Sequence, residues 1–297
     1  MHSTQRKVAD RVMNPQQALD LPTAKSVDDF AEPAPLDSHG PARIIAMVNQ
    51  KGGVGKTTSS INLGASLAAY GRKVLLVDFD PQGALSVGLG INPYDLDISI
   101  YNLLMNPRLD PHDVIVETEF DDIDVLPANI DLSAAEVQLV GEVAREQVLS
   151  RVLAKVAGEY DVVLIDCQPS LGLLTVNALT ASHGVIIPLE TEFFALRGVA
   201  LLVETIEKVQ DRLNPSLEVD GILATMFDSR TLHSKEVMSR VSEAFEDKVF
   251  DTVINRTVKF PDASVAAEPI TSFAPKHPGS EAYRRLAREL IARGGAP

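Results

Sequence analysis

The stretch Asn49-Gln50-Lys51-Gly52-Gly53-Val54-Gly55-Lys56-Thr57-Thr58 decides which fold we expect for this chain. It follows a short apolar run and opens a segment with helical spacing, so it joins a predicted strand to a predicted helix. Its glycines allow the backbone to curl until successive N–H groups and the helix N-terminus point at one anion. Lysine and threonine directly after the last glycine are the pair with which such loops hold phosphate and Mg²⁺. The stretch therefore predicts a phosphate-binding loop, called the P loop below.

The residues of the P loop that we expect to bind nucleotide are Gly52, Gly53, Val54, Gly55, Lys56, Thr57 and Thr58. Lys56 is expected to reach the β and γ phosphates, and Thr57 to give its hydroxyl to Mg²⁺. The common pattern has glycine where this chain has Gln50, and Lys51 adds a second positive charge. A purely structural glycine turn is the alternative, which the strand before the loop and the helix after it disfavour.

Outward from the P loop, short β-branched runs alternate with longer stretches at helical spacing. This alternation is typical of βαβ units, and it predicts an α/β fold whose mostly parallel, twisted sheet has helices on both faces. Together with the P loop, it indicates a P-loop NTPase fold. The predicted strands are 44–48, 74–78, 123–126, 162–166, 185–188, 217–225 and 249–254. The predicted helices are 57–70, 142–157, 196–213 and 280–292.

The chain divides into a tail and one domain. Residues 1–41 hold five prolines and no apolar period longer than a turn, which predicts a flexible N-terminal tail. A short helix near residues 15–21 is the alternative. Residues 42–297 contain neither a linker nor an internal repeat, so we expect them to form a single domain.

Composition excludes several classes of protein. The 297 residues are 45% hydrophobic and 23% charged, which is typical of a globular protein. No apolar run approaches the roughly 20 residues that cross a bilayer, and no signal peptide follows the N-terminus, so we expect a cytoplasmic protein. The single cysteine, Cys167, cannot form an internal disulfide, nor supply a structural zinc site or an iron–sulfur cluster by itself.

The net charge of −14 argues against nucleic-acid binding by the chain as a whole, because such binding uses clustered lysine and arginine. The acidity is uneven, however. Residues 41–220 hold 12 basic and 25 acidic side chains, whereas residues 221–297 hold 11 and 10. Any contact with DNA is therefore expected in the C-terminal third.

Two acidic motifs accompany the P loop. Asp166 ends the apolar run 162–165, and an acidic residue at the carboxyl end of a buried strand can hold the Mg²⁺ shell as a Walker B residue. Asp78-Phe79-Asp80-Pro81-Gln82-Gly83 follows another apolar run. With the P loop, these motifs resemble the ParA, Soj and MinD group of deviant Walker A ATPases, whose loop reads KGGxGKT. The resemblance spans residues 43 to about 293.

The resemblance implies roles for individual residues. In that family the extra lysine, Lys51 here, reaches across a nucleotide-sandwich homodimer to the partner's phosphates, and Asp80 positions or activates the attacking water. The implied catalytic residues are therefore Lys51, Lys56 and Asp80, and the implied metal ligands are Thr57, Asp80 and Asp166. A cation ~4 Å from a phosphate charge contributes on the order of 4 kcal/mol at an effective dielectric near 20, before desolvation costs. We accordingly expect ATP with Mg²⁺ to join two subunits and hydrolysis to separate them.

The resemblance further implies DNA binding and partners. It assigns non-specific binding of double-stranded DNA to Arg230 and Lys259, and the adenine edge of the nucleotide to Asn255 and Arg256. Segments 129–136 and 192–198 resemble the chromosome-partitioning branch, which implies a ParB-like centromere-binding partner and a nucleoid location. The chain departs from the family pattern at Gln168, at Lys259 and at 261–265. Arg230 and Lys259 as ordinary surface cations remain the alternative.

Other functions stay open at this point. A MinD-like or orphan ParA-type regulator that positions the division machinery or other cargo is the main alternative. A membrane-bound form would lay an amphipathic terminal helix on lipid, and residues 280–292 carry an apolar stripe of Tyr283, Leu286, Leu290 and Ile291. Packing of that stripe against the sheet explains it better, so a membrane partner is not expected. An iron–sulfur reductase with this loop needs two cysteines per subunit, and a metabolic kinase or ligase needs a small-molecule pocket that we do not identify.

Overall fold

An eight-stranded sheet organises the chain. The structure is a computed structural model in which residues 27–192 and 195–297 are described. The strand order is β3-β4-β2-β5-β1-β6-β7-β8, and every pairing is parallel except that of β3 with β4. The strands are β1 (Arg43–Met47), β2 (Val74–Phe79), β3 (Val116–Glu117), β4 (Ile123–Leu126), β5 (Val162–Cys167), β6 (Gly184–Glu190), β7 (Glu218–Phe227) and β8 (Val249–Asn255).

Helices connect the strands. Those in the described residues are α1 (Lys56–Ala68), α2 (Ala84–Val87), α3 (Ile100–Met105), α4 (Leu132–Gln138), α5 (Val148–Leu153), α6 (Leu173–Ala181), α7 (Ala195–Arg212), α8 (Leu232–Phe245), α9 (Lys259–Val265), α10 (Ile270–Phe273) and α11 (Pro278–Ala292). Single 3₁₀ turns lie at Val27–Asp29, Pro93–Asp95, Pro111–Asp113, Leu139–Gly141, Arg145–Gln147 and Glu246–Lys248.

Both faces of the sheet are covered. Alternate residues of β1 show this, because successive side chains of a strand point to opposite faces. Ile44 and Ala46 enter a core with residues of α5, α6, α7 and α8, whereas Ile45 and Met47 enter a second core with residues of α1 and α11. Parallel strands buried on both faces read as continuous apolar runs, which is why they were recognisable in the sequence.

The predicted α/β fold with a mostly parallel sheet is confirmed. Each of the seven predicted strands occurs with ends shifted by no more than two residues. The short antiparallel strand β3 was not predicted, and neither were the helices α2, α3, α4, α6, α8, α9 and α10. Helix α6 escaped because it is apolar around most of its circumference and has no polar face to reveal a period.

The predicted helix 142–157 is wrong in its first half. Ala144 has φ 53°, a left-handed conformation that a helix cannot contain, and the segment before it is bent. A 3₁₀ turn at Arg145–Gln147 follows, and regular α-helix is confined to Val148–Leu153.

Residues 27–41, which the sequence assigned to the flexible tail, contact the domain. The Asp161 carboxylate lies 2.7 Å from Nδ1 of His39 and accepts a hydrogen bond from the N–H of Gly40 at 2.9 Å. Arg72 donates to the carbonyl of Ala34 at 2.8 Å, and Arg288 lies 3.3 Å from the carboxylate of Glu32. Residues 1–26, including the proposed short helix at 15–21, lie outside the described part of the chain.

The apolar stripe of α11 faces the interior. Tyr283, Leu286 and Leu290 are almost completely buried in the core that α11 shares with α1, and the Tyr283 hydroxyl lies 3.1 Å from that of Ser59. This confirms packing against the sheet over exposure to lipid. None of the described helices combines the length and the hydropathy that a bilayer-spanning segment needs.

Candidate functional site

The P loop lies at the carboxyl edge of the sheet, where β1 ends, and α1 begins at Lys56. Gly53 and Gly55 have φ values of 75° and 85°, which side chains other than glycine rarely adopt. Gly55 precedes α1 without offering a side-chain cap, so the N–H groups of the first helical turn have no capping side chain. A Cβ atom on Gly52 or Gly53 would meet nothing within 4 Å, so open space surrounds the loop. This geometry fits a bound phosphate.

The start of the P loop is anchored to β6. Asn49 donates its Nδ2 to the carbonyl of Pro188 at 2.7 Å, and its Oδ1 accepts the N–H of Lys51 at 2.9 Å. Gln50, which replaces the usual glycine, directs its Nε2 to the carbonyl of Gly198 at 3.4 Å. The departure at Gln50 thus ties the loop to α7.

Lys56 is a buried cation inside the curl of the loop. Only 6% of the residue is exposed, and its Nζ donates to the Lys51 carbonyl at 3.2 Å. Burial lowers the pKa of the Lys56 ammonium, and the charges of Asp166 and Asp80 oppose that shift. The side chain has already lost most of its water, so a phosphate that binds it does not have to remove that water again.

Thr57 and Asp166, two of the three predicted metal ligands, lie within hydrogen-bond distance of each other. The Thr57 hydroxyl donates to Asp166 Oδ2 at 2.6 Å, and Ser60 Oγ lies 3.3 Å from Asp166 Oδ1. Burial raises the pKa of Asp166 to about 7, with the neighbouring Asp78 carboxylate as the next cause. A hydroxyl and a carboxylate side by side are oxygen ligands suited to Mg²⁺, which usually takes few protein ligands and completes its shell with water and phosphate. The described residues contain no group of three or more His, Cys, Asp or Glu that could hold a metal without such additions.

The two aspartates at the end of β2 have different surroundings. Asp78 is fully buried and accepts the N–H and hydroxyl of Ser86 at 2.9 and 2.7 Å, and burial raises its pKa to about 7. Asp80 is partly exposed, and its Oδ1 accepts the N–H of Gln82 at 3.0 Å. Asp78 therefore fixes the start of α2, whereas Asp80 presents a carboxylate at the edge where the P loop lies.

The segment after Asp166 explains two sequence observations. Cys167 is buried, and burial raises the pKa of its thiol, so it is a packing residue and not a nucleophile.

Gln168, which departs from the family pattern, donates to Glu136 Oε1 and to Ser170 Oγ, both at 2.9 Å. The departure links the Walker B strand to α4.

Lys51 does not lie free in solution. Its ammonium contacts the carboxylates of Glu190 and Glu192 at 2.8 and 2.5 Å. Hydrogen bonds and charge from both carboxylates outweigh partial burial and raise the pKa of Lys51. The lysine expected to serve a partner subunit is therefore paired within its own chain.

Asn255 and Arg256 line a cavity of about 230 Å³ together with Thr257 and four residues at the start of α11, namely His277, Pro278, Gly279 and Ala282. Arg256 donates to Glu190 Oε1 at 2.9 Å. The structure thus places both residues predicted for the adenine edge beside this cavity at the carboxyl end of β8.

Arg230 and Lys259 follow the ends of neighbouring strands, since Phe227 of β7 is paired with Asn255 of β8. The Arg230 side chain is 87% exposed and forms two hydrogen bonds of 2.9 Å with Asp228, whose pKa it lowers to about 2. Lys259 Nζ lies 3.0 Å from Asp262 and 5.7 Å from the centre of the Phe273 ring. Both predicted DNA-binding cations therefore share one edge, and each already has a carboxylate partner.

Sequence reasoning assigned no role to Glu190, Glu192, Asn49 or Asp78. Glu190 had a detectable signal, because it ends a strand in which all seven residues are buried. That is the rule by which Asp166 was found. Glu192 begins the segment 192–198 that resembled the partitioning branch, of which residues 193 and 194 lie outside the described part.

Comparison with known proteins agrees with this geometry. Residues 42–219 match the AAA_31 family, described as an AAA domain. An uncharacterised protein of Mycobacterium tuberculosis, Rv1708, is 64% identical over 89% of this chain and 83% of its own. Soj of Bacillus subtilis and the chromosome partitioning protein ParA of Caulobacter vibrioides are each 47% identical, over 85% and 86% of this chain and 99% and 96% of theirs.

The chain belongs to the ParA/MinD-type P-loop ATPases. The crystal structure of a Mycobacterium smegmatis protein titled cobyrinic acid a,c-diamide synthase, with bound ADP and magnesium, superimposes with a TM-score of 0.76. It is 43% identical over 86% of this chain and 96% of that chain. The cell division ATPase MinD of Pyrococcus furiosus has a TM-score of 0.70 and is 25% identical over 84% and 99%. Among these relatives, the ParA and Soj proteins are therefore nearer in sequence than MinD.

Proposed function

We propose that this chain is an Mg²⁺-dependent ATPase whose ATP-bound form is a homodimer, that it binds double-stranded DNA without sequence preference, and that it partitions chromosomes with a ParB-like partner. The observation that carries the proposal is that the P loop, at the carboxyl edge of the sheet, holds two lysines, Lys51 and Lys56, and that its Thr57 contacts Asp166. A nucleotide loop needs only one of those lysines.

The residues divide the work of hydrolysis by their positions. Lys56 and the first turn of α1 bind and orient the phosphates, and Thr57 with Asp166 holds Mg²⁺. When bound, Mg²⁺ supplies positive charge that offsets the charge of the phosphates during transfer. Asp80 orients the attacking water. Asn255 and Arg256 contact the base in the cavity beside β8.

Dimerisation rests on Lys51. The Lys51 side chain is 43% exposed and flexible. Its ammonium can therefore leave the carboxylate oxygens of its own chain and bind the phosphate oxygens of the nucleotide in a facing subunit. Loss of the γ phosphate removes charge from the facing site, so the assembly reports which nucleotide is bound.

DNA binding rests on Arg230 and Lys259 in each of two subunits. Both follow strand ends at one edge, and contacts of such cations with phosphate carry no sequence information. Partition with a ParB-like partner, and a location at the nucleoid, are supported by the 47% identity to the chromosome partitioning protein ParA. The buried stripe of α11 and the lower identity to MinD favour this over a membrane-bound division regulator.

The decisive experiment is sedimentation of the full chain carrying Asp80→Ala, which blocks cleavage, with Mg·ATP and with Mg·ADP. We expect a dimer with ATP alone, and we expect the additional change Lys51→Ala to abolish it while ATP still binds. A chain that stays single at saturating Mg·ATP contradicts the proposal. Retention of duplex DNA at two ionic strengths tests the remaining part, and equal retention with and without ATP contradicts it.

A further inference from the structure

Lys51, Arg256, Glu190 and Glu192 form a cluster of two cations and two carboxylates. Glu190 lies between the cations, with Oε2 at 2.8 Å from Lys51 and Oε1 at 2.9 Å from Arg256. The Glu192 carboxylate contacts the Lys51 ammonium at 2.5 Å. The Glu190 side chain is 11% exposed, whereas that of Glu192 is 56% exposed. We call this arrangement the carboxylate latch.

The latch can open without leaving a buried charge alone. When Lys51 leaves, Arg256 still neutralises the buried carboxylate of Glu190, and Glu192 returns to water. A buried carboxylate that loses its only partner is strongly destabilising, and this arrangement avoids that cost. The contact of Lys51 is therefore reversible in a way that a single buried ion pair would not be.

The latch also joins the P loop to the strand that precedes α7. Glu190 is the last residue of β6, and the Asn49 side chain holds the P loop to the Pro188 carbonyl two residues earlier. Gln50 reaches the Gly198 carbonyl in α7. Three consecutive residues of the loop, 49 to 51, thus contact the end of β6 or the segment that follows it.

We propose that Glu190 and Glu192 are positioning residues that hold Lys51 within its own subunit, and that the facing subunit's nucleotide phosphates displace them. This rests on the proposed function, since it supplies the internal partner that Lys51 leaves when ATP joins two subunits. The two carboxylates then set the ATP concentration that dimerisation requires, and Arg256 holds the Glu190 carboxylate in place.

Carbodiimide cross-linking tests the contact directly, because it converts an ion-paired lysine and carboxylate into an amide with loss of water. Lys208 and Glu204 of α7, exposed and 2.8 Å apart, provide a reference pair within the same chain. In the full chain without nucleotide, we expect amides from Lys51 to Glu190 or Glu192 at a yield comparable to the reference pair. Absence of the Lys51 amide while the reference amide forms overturns the proposal.

The same reaction on the Asp80→Ala chain with Mg·ATP tests the exchange. We expect the Lys51 amide to fall at least about five-fold in the sedimentation-verified dimer while the reference amide is unchanged. An undiminished Lys51 amide in that dimer overturns the proposal. A chain that never dimerises contradicts the proposed function instead, and the nucleotide-free reaction tells the two failures apart because it does not depend on assembly.

A matched pair of variants measures the energetic consequence. Glu192→Gln removes the exposed carboxylate of the latch, and Glu204→Gln removes one from a lysine pair elsewhere on α7. Exposed pairs are weak, so we expect Glu192→Gln to lower the ATP concentration for half-maximal dimerisation by roughly two- to five-fold. Glu204→Gln should not change it. Equal effects of the two glutamine variants overturn the proposal.

Discussion

Replacing Lys56 by alanine isolates the part of nucleotide binding that the P loop supplies. The ammonium is 6% exposed, and burial already lowers its pKa, so the folded chain has met most of the desolvation cost before ligand arrives. A charge pair at ~4 Å is worth on the order of 4 kcal/mol at an effective dielectric near 20. We therefore expect Lys56→Ala to raise the dissociation constant for Mg·ATP by roughly 10²- to 10³-fold.

Thermal unfolding measures this loss. ATP at about 100 times its dissociation constant stabilises the wild-type chain by about 2.7 kcal/mol. An unfolding entropy of about 2.1 cal/mol/K per residue gives roughly 0.6 kcal/mol/K for 297 residues, and hence a rise in Tm of about 4 °C. At the same ATP concentration, the rise for Lys56→Ala should be below about 1 °C.

The control for this experiment is Lys208→Ala, which removes an exposed lysine paired with Glu204. It should keep the full rise in Tm. The Tm of each variant without nucleotide shows whether it folds. A rise of several degrees in a folded Lys56→Ala chain would falsify the assignment of the P loop.

Three further outcomes follow from the site and the core. Asp80→Ala should bind Mg·ATP but release phosphate at least ~100-fold more slowly, and unchanged turnover at saturating Mg·ATP removes Asp80 from its role. Arg230→Ala should weaken binding to unrelated DNA duplexes by a similar factor and reduce the slope of log affinity against log salt by about 0.9 per subunit. Asp228→Asn, which removes the carboxylate partner of Arg230, should strengthen binding. Fluorescence anisotropy at several salt concentrations measures both effects. His183→Gln should remove a stability loss at low pH. The His183 Nδ1 accepts the N–H of Ile44, and partial burial of the ring, with the charge of Arg43, lowers the His183 pKa. The wild type therefore loses stability as pH falls below about 6.5 towards that lowered pKa. Urea unfolding at successive pH values should show the difference between the two chains, with a slope of at most about 1.4 kcal/mol per pH unit, and parallel curves refute it.

The parts of the fold that the sequence revealed are those in which local pattern and burial coincide. The central strands are apolar throughout because both faces are covered, so their limits could be located to within two residues. Helix α6 is buried around most of its surface and so lacks a period, and β3 spans two residues. The bend at Ala144 depends on a left-handed backbone that no residue type there announces.

The candidate site divides in the same way. Residues adjacent in sequence, such as Lys56 and Thr57, could be assigned because one loop and one helix fix their relation. Asp166 could be assigned because the carboxyl ends of parallel strands collect at one edge. The pairing of Lys51 with Glu190 joins positions 139 residues apart, and nothing local to either residue specifies it. Only the placement of β6 beside β1 does.

Ion pairs within the chain also explain how so acidic a protein could bind DNA as we propose. The chain carries a net charge of −14. Charges more than about 8 Å apart are largely screened at physiological ionic strength, so the affinity of each cation for phosphate depends on its immediate surroundings. Lys51, Arg230, Arg256 and Lys259 each contact a carboxylate of their own chain. A phosphate that binds a single subunit therefore replaces a carboxylate that already neutralises the cation, so each cation adds little net binding free energy. In the dimer that we propose, two subunits joined by nucleotide would present two such sets to one duplex, and the second set would bind at the high effective concentration that the first creates. Under that proposal, sites that are weak in one subunit act only when they are doubled, so DNA binding would depend on dimerisation and dimerisation on the bound nucleotide.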